Sequence, residues 1–253
     1  MTSTSIVGST GLVGSHILNT LLSHPSISTI HSLSRRSPQE PAATSSPKLH
    51  PLISEDTKTW SSLLSSITPS PSIFFSALGT TKAQAGSIEA QRKIDLELNL
   101  ELARTFANNN SESQDANPKS KIYILISTRG ANSTSRIPYS KMKGELEDAV
   151  TNELADSFKH VVILRPGLIV GERDDSRPAE FALRKVAGWV GWLGGDACRD
   201  FWAQDATVIA RAAVNAGLRA QEGRDSDGGV IPRVWVLGQA DIVRLGRGEW
   251  KGE

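Results

Sequence analysis

The stretch Ser5-Ile6-Val7-Gly8-Ser9-Thr10-Gly11-Leu12-Val13-Gly14 decides the fold. A short strand pattern runs directly into glycines spaced Gly-x-x-Gly-x-x-Gly, and Ile17, Leu18, Leu21 and Leu22 follow at helical spacing. In a strand–turn–helix unit each glycine has a task. The first makes the tight turn, the second lets backbone come close to a pyrophosphate, and the third lets helix and strand pack closely. Phosphates then rest on the helix amino terminus, where free N–H groups and the dipole favour anions. Gly8, Ser9, Thr10, Gly11, Leu12, Val13 and Gly14 are therefore candidate cofactor-binding residues. A purely structural turn could carry the same glycines, but their place after a first strand and before an apolar-faced helix favours a dinucleotide.

Outward from this turn, strand and helix patterns alternate. Strands are expected at Ile27 to Ser34, weakly at Leu49 to Ile53, and at Ile73 to Leu78, Ile122 to Ser127, Val161 to Leu164 and Val234 to Leu237. Ile122-Tyr123-Ile124-Leu125-Ile126 is a continuous apolar run, as a central strand buried on both faces requires. Ile94, Leu98, Leu102 and Phe106 predict a helix from about Ser87 to Asn108, and Val208, Ile209, Ala212 and Ala213 another late in the chain. Ser37 to Ser46 and Asn108 to Ser120, rich in Ser, Pro and Asn, read as surface loops. The expected fold class is α/β: a Rossmann-type, doubly wound, mostly parallel sheet with helices on both faces. It forms a single domain over 1–253, with a small substrate-side extension at about 168–232.

The second strand selects the cofactor. NAD-binding chains usually place Asp or Glu about 20 residues beyond the glycines, on the ribose 2′-hydroxyl. No acidic residue lies between Gly8 and Gln39, and the strand ends in Arg35-Arg36. Two guanidinium groups suit a 2′-phosphate through charge-assisted hydrogen bonds. Two solvated arginines opening a loop would look alike, but together with the missing carboxylate they favour NADPH/NADP+.

The apolar run ending at Ile126 is followed by Ser127-Thr128, then by Tyr139 and, four residues on, Lys143. Pro138 suits a first helical turn, which puts Tyr139 and Lys143 on one face. A lysine there is expected to lower the tyrosine pKa towards a range useful in acid–base work. Tyr-x-x-x-Lys is common by chance, and a half-buried tyrosine beside a surface lysine is the plain alternative. The order of glycine turn, basic strand end, serine at a strand end, then tyrosine and lysine distinguishes it.

That order resembles the short-chain dehydrogenases. More narrowly, the chain is similar to an atypical fungal family catalogued from the mitochondrial proteome and related to the human Tat-interacting oxidoreductase. The match rests on Gly8 to Gly14, Arg35-Arg36, Ala77-Leu-Gly-Thr-Thr81, Ala85-Gly86, Ser127-Thr-Arg-Gly-Ala131, Tyr139 to Glu145, Arg165-Pro-Gly167 and Ser176-Arg-Pro178. It implies an NADP-dependent oxidoreductase that moves hydride to or from a carbonyl or alcohol substrate. In that role Tyr139 is the acid/base, and Lys143 holds the nicotinamide ribose and tunes Tyr139. Ser127, or Thr128 if the register differs by one, bonds the substrate oxygen. The resemblance also places Leu78, Gly79 and Thr80 near the adenosine ribose or pyrophosphate, Pro166 and Gly167 beside the nicotinamide, and Arg177 on the cofactor. It implies peripheral association with the cytosolic face of the mitochondrial outer membrane.

Composition narrows the alternatives. With 28 basic and 27 acidic residues, the charge of +1 gives no footprint for nucleic acid. The single cysteine, Cys198, excludes an internal disulfide, and five scattered histidines have no ligand spacing, so no metal is expected. No apolar run is long enough for a spanning helix, and with only seven residues before Gly8 no cleaved leader is expected. Residues 181–195, with Trp189, Trp192 and the preceding Arg184-Lys185, could cover the active site or touch a bilayer surface. A competing function is an NADPH-sensing regulator or scaffold at the outer membrane with little turnover.

Overall fold

The apolar runs pair into one parallel sheet whose inner strands from Ile73, Ile122 and His160 are buried on both faces. A computed structural model describes residues 1–38, 45–109, 120–170 and 203–252. Its strands are β1 (Thr2–Val7), β2 (Ile27–Ser34), β3 (Leu49–Ile53), β4 (Ile73–Ser76), β5 (Ile122–Ile126), β6 (His160–Leu164), β7 (Leu168–Val170), β8 (Ala203–Asp205) and β9 (Val234–Leu237). Seven of them form a sheet in the order β3-β2-β1-β4-β5-β6-β9, every pair parallel. The short β7 and β8 pair separately. Three residues each are too few to show a period, which is why the sequence pattern missed them.

Alternation along the strands feeds two cores. Ile122, Ile124 and Ile126 pack with Ile6, Phe75 and Val162 against α1 (Leu12–Ser23). Tyr123 and Leu125 face the other way, with Phe74 and Ile163, under α2 (Trp60–Ser65) and a long helix. That helix comprises α3 (Ile88–Arg92), a π-helical turn (Lys93–Leu98) and α4 (Asn99–Asn108). Its span agrees with the apolar stripe, but the wider turn brings both Asp95 and Asn99 inward, each fully buried. Asn99 Nδ2 donates to the carbonyls of Ile94 and Asp95, both at 3.1 Å, satisfying groups that the turn releases from the regular ladder.

The second layer is completed by α5 (Pro138–Ala149), and the first by α6 (Ala206–Glu222) and α7 (Gln239–Val243). Beginning at Asp205, whose carboxylate accepts from Thr207 N at 2.7 Å, α6 ends at Gly223 with φ +77°. Its alanine-rich face packs on the main sheet core. Most of both expected surface loops, together with Arg177, residues 181–195 and Cys198, lies outside the described residues.

Candidate active site

Parallel strands carry all their carboxyl ends to one edge, so five segments singled out in the sequence converge. The glycine turn follows β1, Arg35-Arg36 follows β2, Ala77 to Thr81 follows β4, Ser127-Thr128 follows β5, and Arg165 to Gly167 follows β6. The strand order reverses at β1 and β4, and the crevice there is where doubly wound sheets bind ligands.

Sterics fix the glycine turn. Gly8 has φ +81°, and a Cβ on it would lie 2.5 Å from Ala77 O. A Cβ on Gly14 would lie 2.0 Å from Gly8 O, so the helix packs onto the turn only as glycine. Gly11 caps α1 without a side-chain bond, and the first turn holds no acidic residue, so nothing in that turn would oppose an anion at its N–H groups. Gly8, Thr10, Gly11 and Leu12 are partly exposed, whereas Ser9, Val13 and Gly14 are buried behind them. The Ser9 hydroxyl meets Ser32 Oγ at 2.7 Å and ties the turn to β2. Arg35 and Arg36 are exposed beyond it, with the Ser34 hydroxyl donating to Arg36 O at 2.7 Å. An uncapped helix end, a glycine cradle and two solvent-facing guanidinium groups fit a phosphorylated dinucleotide.

Across the crevice, the loop after β4 is clamped from below. Thr80 N donates to Asp95 Oδ1 at 2.7 Å, and Gln91 Nε2 bonds both Thr80 O at 3.0 Å and Asp95 Oδ2 at 3.3 Å. Leu78 and Thr80 are partly exposed and Gly79 exposed above this clamp. A Cβ on Gly79 would stand 3.9 Å from both Asp95 Oδ1 and Lys143 Nζ, so the loop crosses where the two charges meet.

Pro138 opens α5, and Tyr139 in its first turn is 40% exposed. Lys143 is buried, with Nζ donating to Ile126 O at 3.4 Å. The Lys143 ammonium thus reaches the carboxyl end of β5, and Tyr139 lies one helical turn before it. The electrostatic expectation is reversed. Burial, and after it the Asp95 carboxylate, push the Tyr139 hydroxyl up to about 12. Burial drives the pKa of the Lys143 ammonium down, while the Asp95 and Glu147 carboxylates oppose the drop. Burial in turn raises Asp95, countered by Lys143 and the Thr80 and Gln91 N–H groups.

Ser127 is buried, and its hydroxyl donates to Glu147 Oε1. Arg165 grips the same carboxylate through Nε, at 3.0 Å to Oε2 and 3.2 Å to Oε1, and through its terminal nitrogen. Glu147 thus joins the strand ends of β5 and β6 from within α5. Thr128 is the partly exposed hydroxyl at the strand end. Pro166 is buried, its carbonyl accepting from Arg129 N at 2.8 Å, and Gly167 N donates to Gln204 Oε1 at 3.2 Å. Sequence reasoning missed Asp95, Gln91 and Glu147. The one signal was acidic residues one helical turn from apolar-face positions or from Lys143, and this is indistinguishable from a solvated face. Among the described residues, no group of three or more His, Cys, Asp or Glu could hold a metal ion.

Residues 71–188 match the HIM1 family model. The chain is 49% identical to the mitochondrial protein fmp52-1 of Aspergillus terreus over 98% of its own length and all of that protein's. It is 45% identical to mitochondrial fmp-52 of Neurospora crassa, covering 99% of this chain and 97% of that one. Among solved structures, the Bordetella bronchiseptica enzyme WbmF in complex with NAD+ superposes with a TM-score of 0.62 at 18% identity, covering 96% of this chain and 76% of that one. A short-chain dehydrogenase/reductase-family oxidoreductase from Burkholderia thailandensis gives 0.62 at 14% identity, covering 94% and 91%. These likenesses show the fold. The chain belongs to the fmp52 family of fungal proteins.

Proposed function

We propose that this protein is an NADPH-dependent oxidoreductase acting on a small carbonyl or alcohol substrate. One observation carries the reading: the glycine turn after β1 and Lys143, bonded to the last residue of β5 and one helical turn beyond Tyr139, lie at the carboxyl edge of one sheet. The α1 amino terminus would hold the pyrophosphate, Arg35 and Arg36 the 2′-phosphate, and Lys143 the nicotinamide ribose. A bound NADPH supplies the hydride. Tyr139, protonated at neutral pH, gives its proton to the substrate oxygen as negative charge develops there. Thr128 holds that oxygen in line, because the Ser127 hydroxyl is committed to Glu147. Ser127 acts from behind, fixing the strand end from which Thr128 reaches out.

Replacing Tyr139 with Phe removes the proton and little else. NADPH affinity should stay within about threefold, while carbonyl reduction falls roughly 10²- to 10⁴-fold. A panel of aldehydes, ketones and quinones assayed with both proteins tests this, and undiminished turnover by Tyr139→Phe refutes the assignment. The fungal relatives are named mitochondrial, and we place this protein at mitochondria, peripherally on the outer membrane. No helix among the described residues is long and apolar enough to cross a membrane. Carbonate extraction of isolated mitochondria should release the protein; retention in the pellet would overturn peripheral placement.

A further inference from the structure

We propose that His31 and His50 form a binding site for a divalent cation of the zinc or copper kind, at the β2–β3 edge of the sheet. The two residues stand 19 positions apart and show no ligand spacing in the sequence. They meet because β2 and β3 pair in parallel with His31 opposite His50. Their rings stack with centroids 5.3 Å apart and planes 28° from parallel. His50 is exposed and His31 partly so. The other three histidines each commit a ring nitrogen. Nδ1 of His16 meets Thr207 Oγ1 at 3.2 Å, that of His24 accepts from Ser26 N at 3.2 Å, and that of His160 meets Pro232 O at 3.0 Å. Among the described residues neither His31 nor His50 has a hydrogen-bond partner. The two histidines with uncommitted nitrogens are thus the two that touch.

Imidazole nitrogen suits zinc, copper and nickel, whereas magnesium and calcium take oxygen. Two nitrogens each about 2.0–2.1 Å from one ion stand roughly 3.3 Å apart in tetrahedral geometry. Rings with no hydrogen bond to hold them reach that span by turning about their own side-chain bonds, and water completes the shell. The same row of the sheet offers an outer partner. Ser5 of β1 is the register partner of His31 on its other side, so both side chains project from one face. The Ser5 hydroxyl is buried and has no hydrogen-bond partner among the described residues. A ligating histidine donates its second ring N–H to an acceptor, and Ser5 Oγ is the acceptor this row supplies to His31. The strand that gains from such a link is β3. It is the edge strand, five residues long, and its Pro51 has no N–H for a ladder. An ion held by both rings fastens β3 to β2, the strand that runs on into Arg35 and Arg36. The inference goes beyond the functional reading above and is independent of the cofactor and of the role of Tyr139.

Calorimetric titration of the untagged, chelator-stripped full chain with Zn²⁺ tests this, at about pH 7.5, where an ordinary imidazole is mostly neutral. A site with a micromolar Kd is expected, and Mg²⁺ should give no binding. His50→Gln and His31→Gln should each weaken zinc binding at least about tenfold, because each removes one of two protein ligands. His16→Gln should bind zinc as the wild type does. His50 is exposed, so His50→Gln keeps the fold and decides alone if His31→Gln does not fold. Amide hydrogen exchange gives a second readout. Saturating Zn²⁺ should slow exchange across Leu49–Ile53 in the wild type and leave it unchanged in His50→Gln. Zinc binding only in the millimolar range, wild-type affinity in His50→Gln, or unchanged exchange across β3 at saturating zinc each overturns the proposal.

Discussion

Gly14 and Glu147 are single residues on which the two halves of the site depend, and they differ in how they can be read. The methyl of Gly14→Ala would fall 2.0 Å from Gly8 O, so α1 must shift away from the turn that holds phosphates. The expected cost is about 1–3 kcal/mol in urea unfolding, with a loss of NADPH affinity larger than stability alone explains. Glu147→Gln keeps the shape but unpairs Arg165 and weakens the Ser127 contact. Arg165 is part-exposed, so solvent recovers some of the loss, and about 2 kcal/mol of destabilisation is expected by the same measurement. Gly14 was legible because its constraint is local: turn, helix start and spacing all lie within seven residues. Glu147 was not, because its partners Ser127 and Arg165 lie about 20 residues away on either side and meet it only once β5 and β6 pair. The lowering of the Tyr139 pKa failed for the same reason. One-turn spacing identifies Lys143, but the burial of Tyr139 and, after it, the Asp95 carboxylate from a helix 44 positions before it are set only by the fold.

At the level of elements, the sheet was readable almost strand by strand because its period is carried by local apolar runs. The expected ends of β4 and β5 ran one or two residues long, since Leu78 and Ser127 belong to the turns that reach the crevice. The long helix was readable too, but its π-helical turn was not. A wider turn leaves the apolar stripe of Leu98, Leu102 and Phe106 intact and changes only which polar residues face inward. The far end of that helix depends on another distant group. Lys121, buried just before β5, donates to the carbonyls of Phe106, Ala107 and Asn109 and lies 5.2 Å from the Phe106 ring centre. It thereby satisfies the last turn of α4 and opposes the negative end of its dipole. Lys121→Met should lower stability by about 1–2 kcal/mol at neutral pH, measured by thermal or urea unfolding. Hydrogen exchange should quicken at the carboxyl end of α4 while β1 and α1 stay protected. Uniform acceleration across the sheet would show that Lys121 supports the core rather than the helix end.

For the whole molecule, the decisive question is whether the two halves of the carboxyl edge respond to one ligand. A ligand that binds only the folded state adds RT ln(1 + [L]/Kd), about 2.7 kcal/mol at 100 times Kd. For a domain of this size each kcal/mol raises Tm by roughly 2–4 °C, so saturating NADPH should raise it by roughly 5–10 °C. NADH lacks the 2′-phosphate that Arg35 and Arg36 are placed to receive. At equal concentration it should therefore give a clearly smaller rise. Arg35→Ala combined with Arg36→Ala removes two exposed guanidinium groups that have no ion-pair partner among the described residues, so stability without ligand should change by less than about 0.5 kcal/mol. In that variant the NADPH and NADH shifts should converge, because each lost charge-assisted bond is worth about 1.5–3 kcal/mol. The convergence should be stronger at low salt, where exposed charges are least screened. Equal shifts by both cofactors in the wild type would remove the 2′-phosphate from the reading and leave the glycine cradle standing. No shift with either would detach the cradle from nucleotide binding, and with it the chemistry assigned to Tyr139.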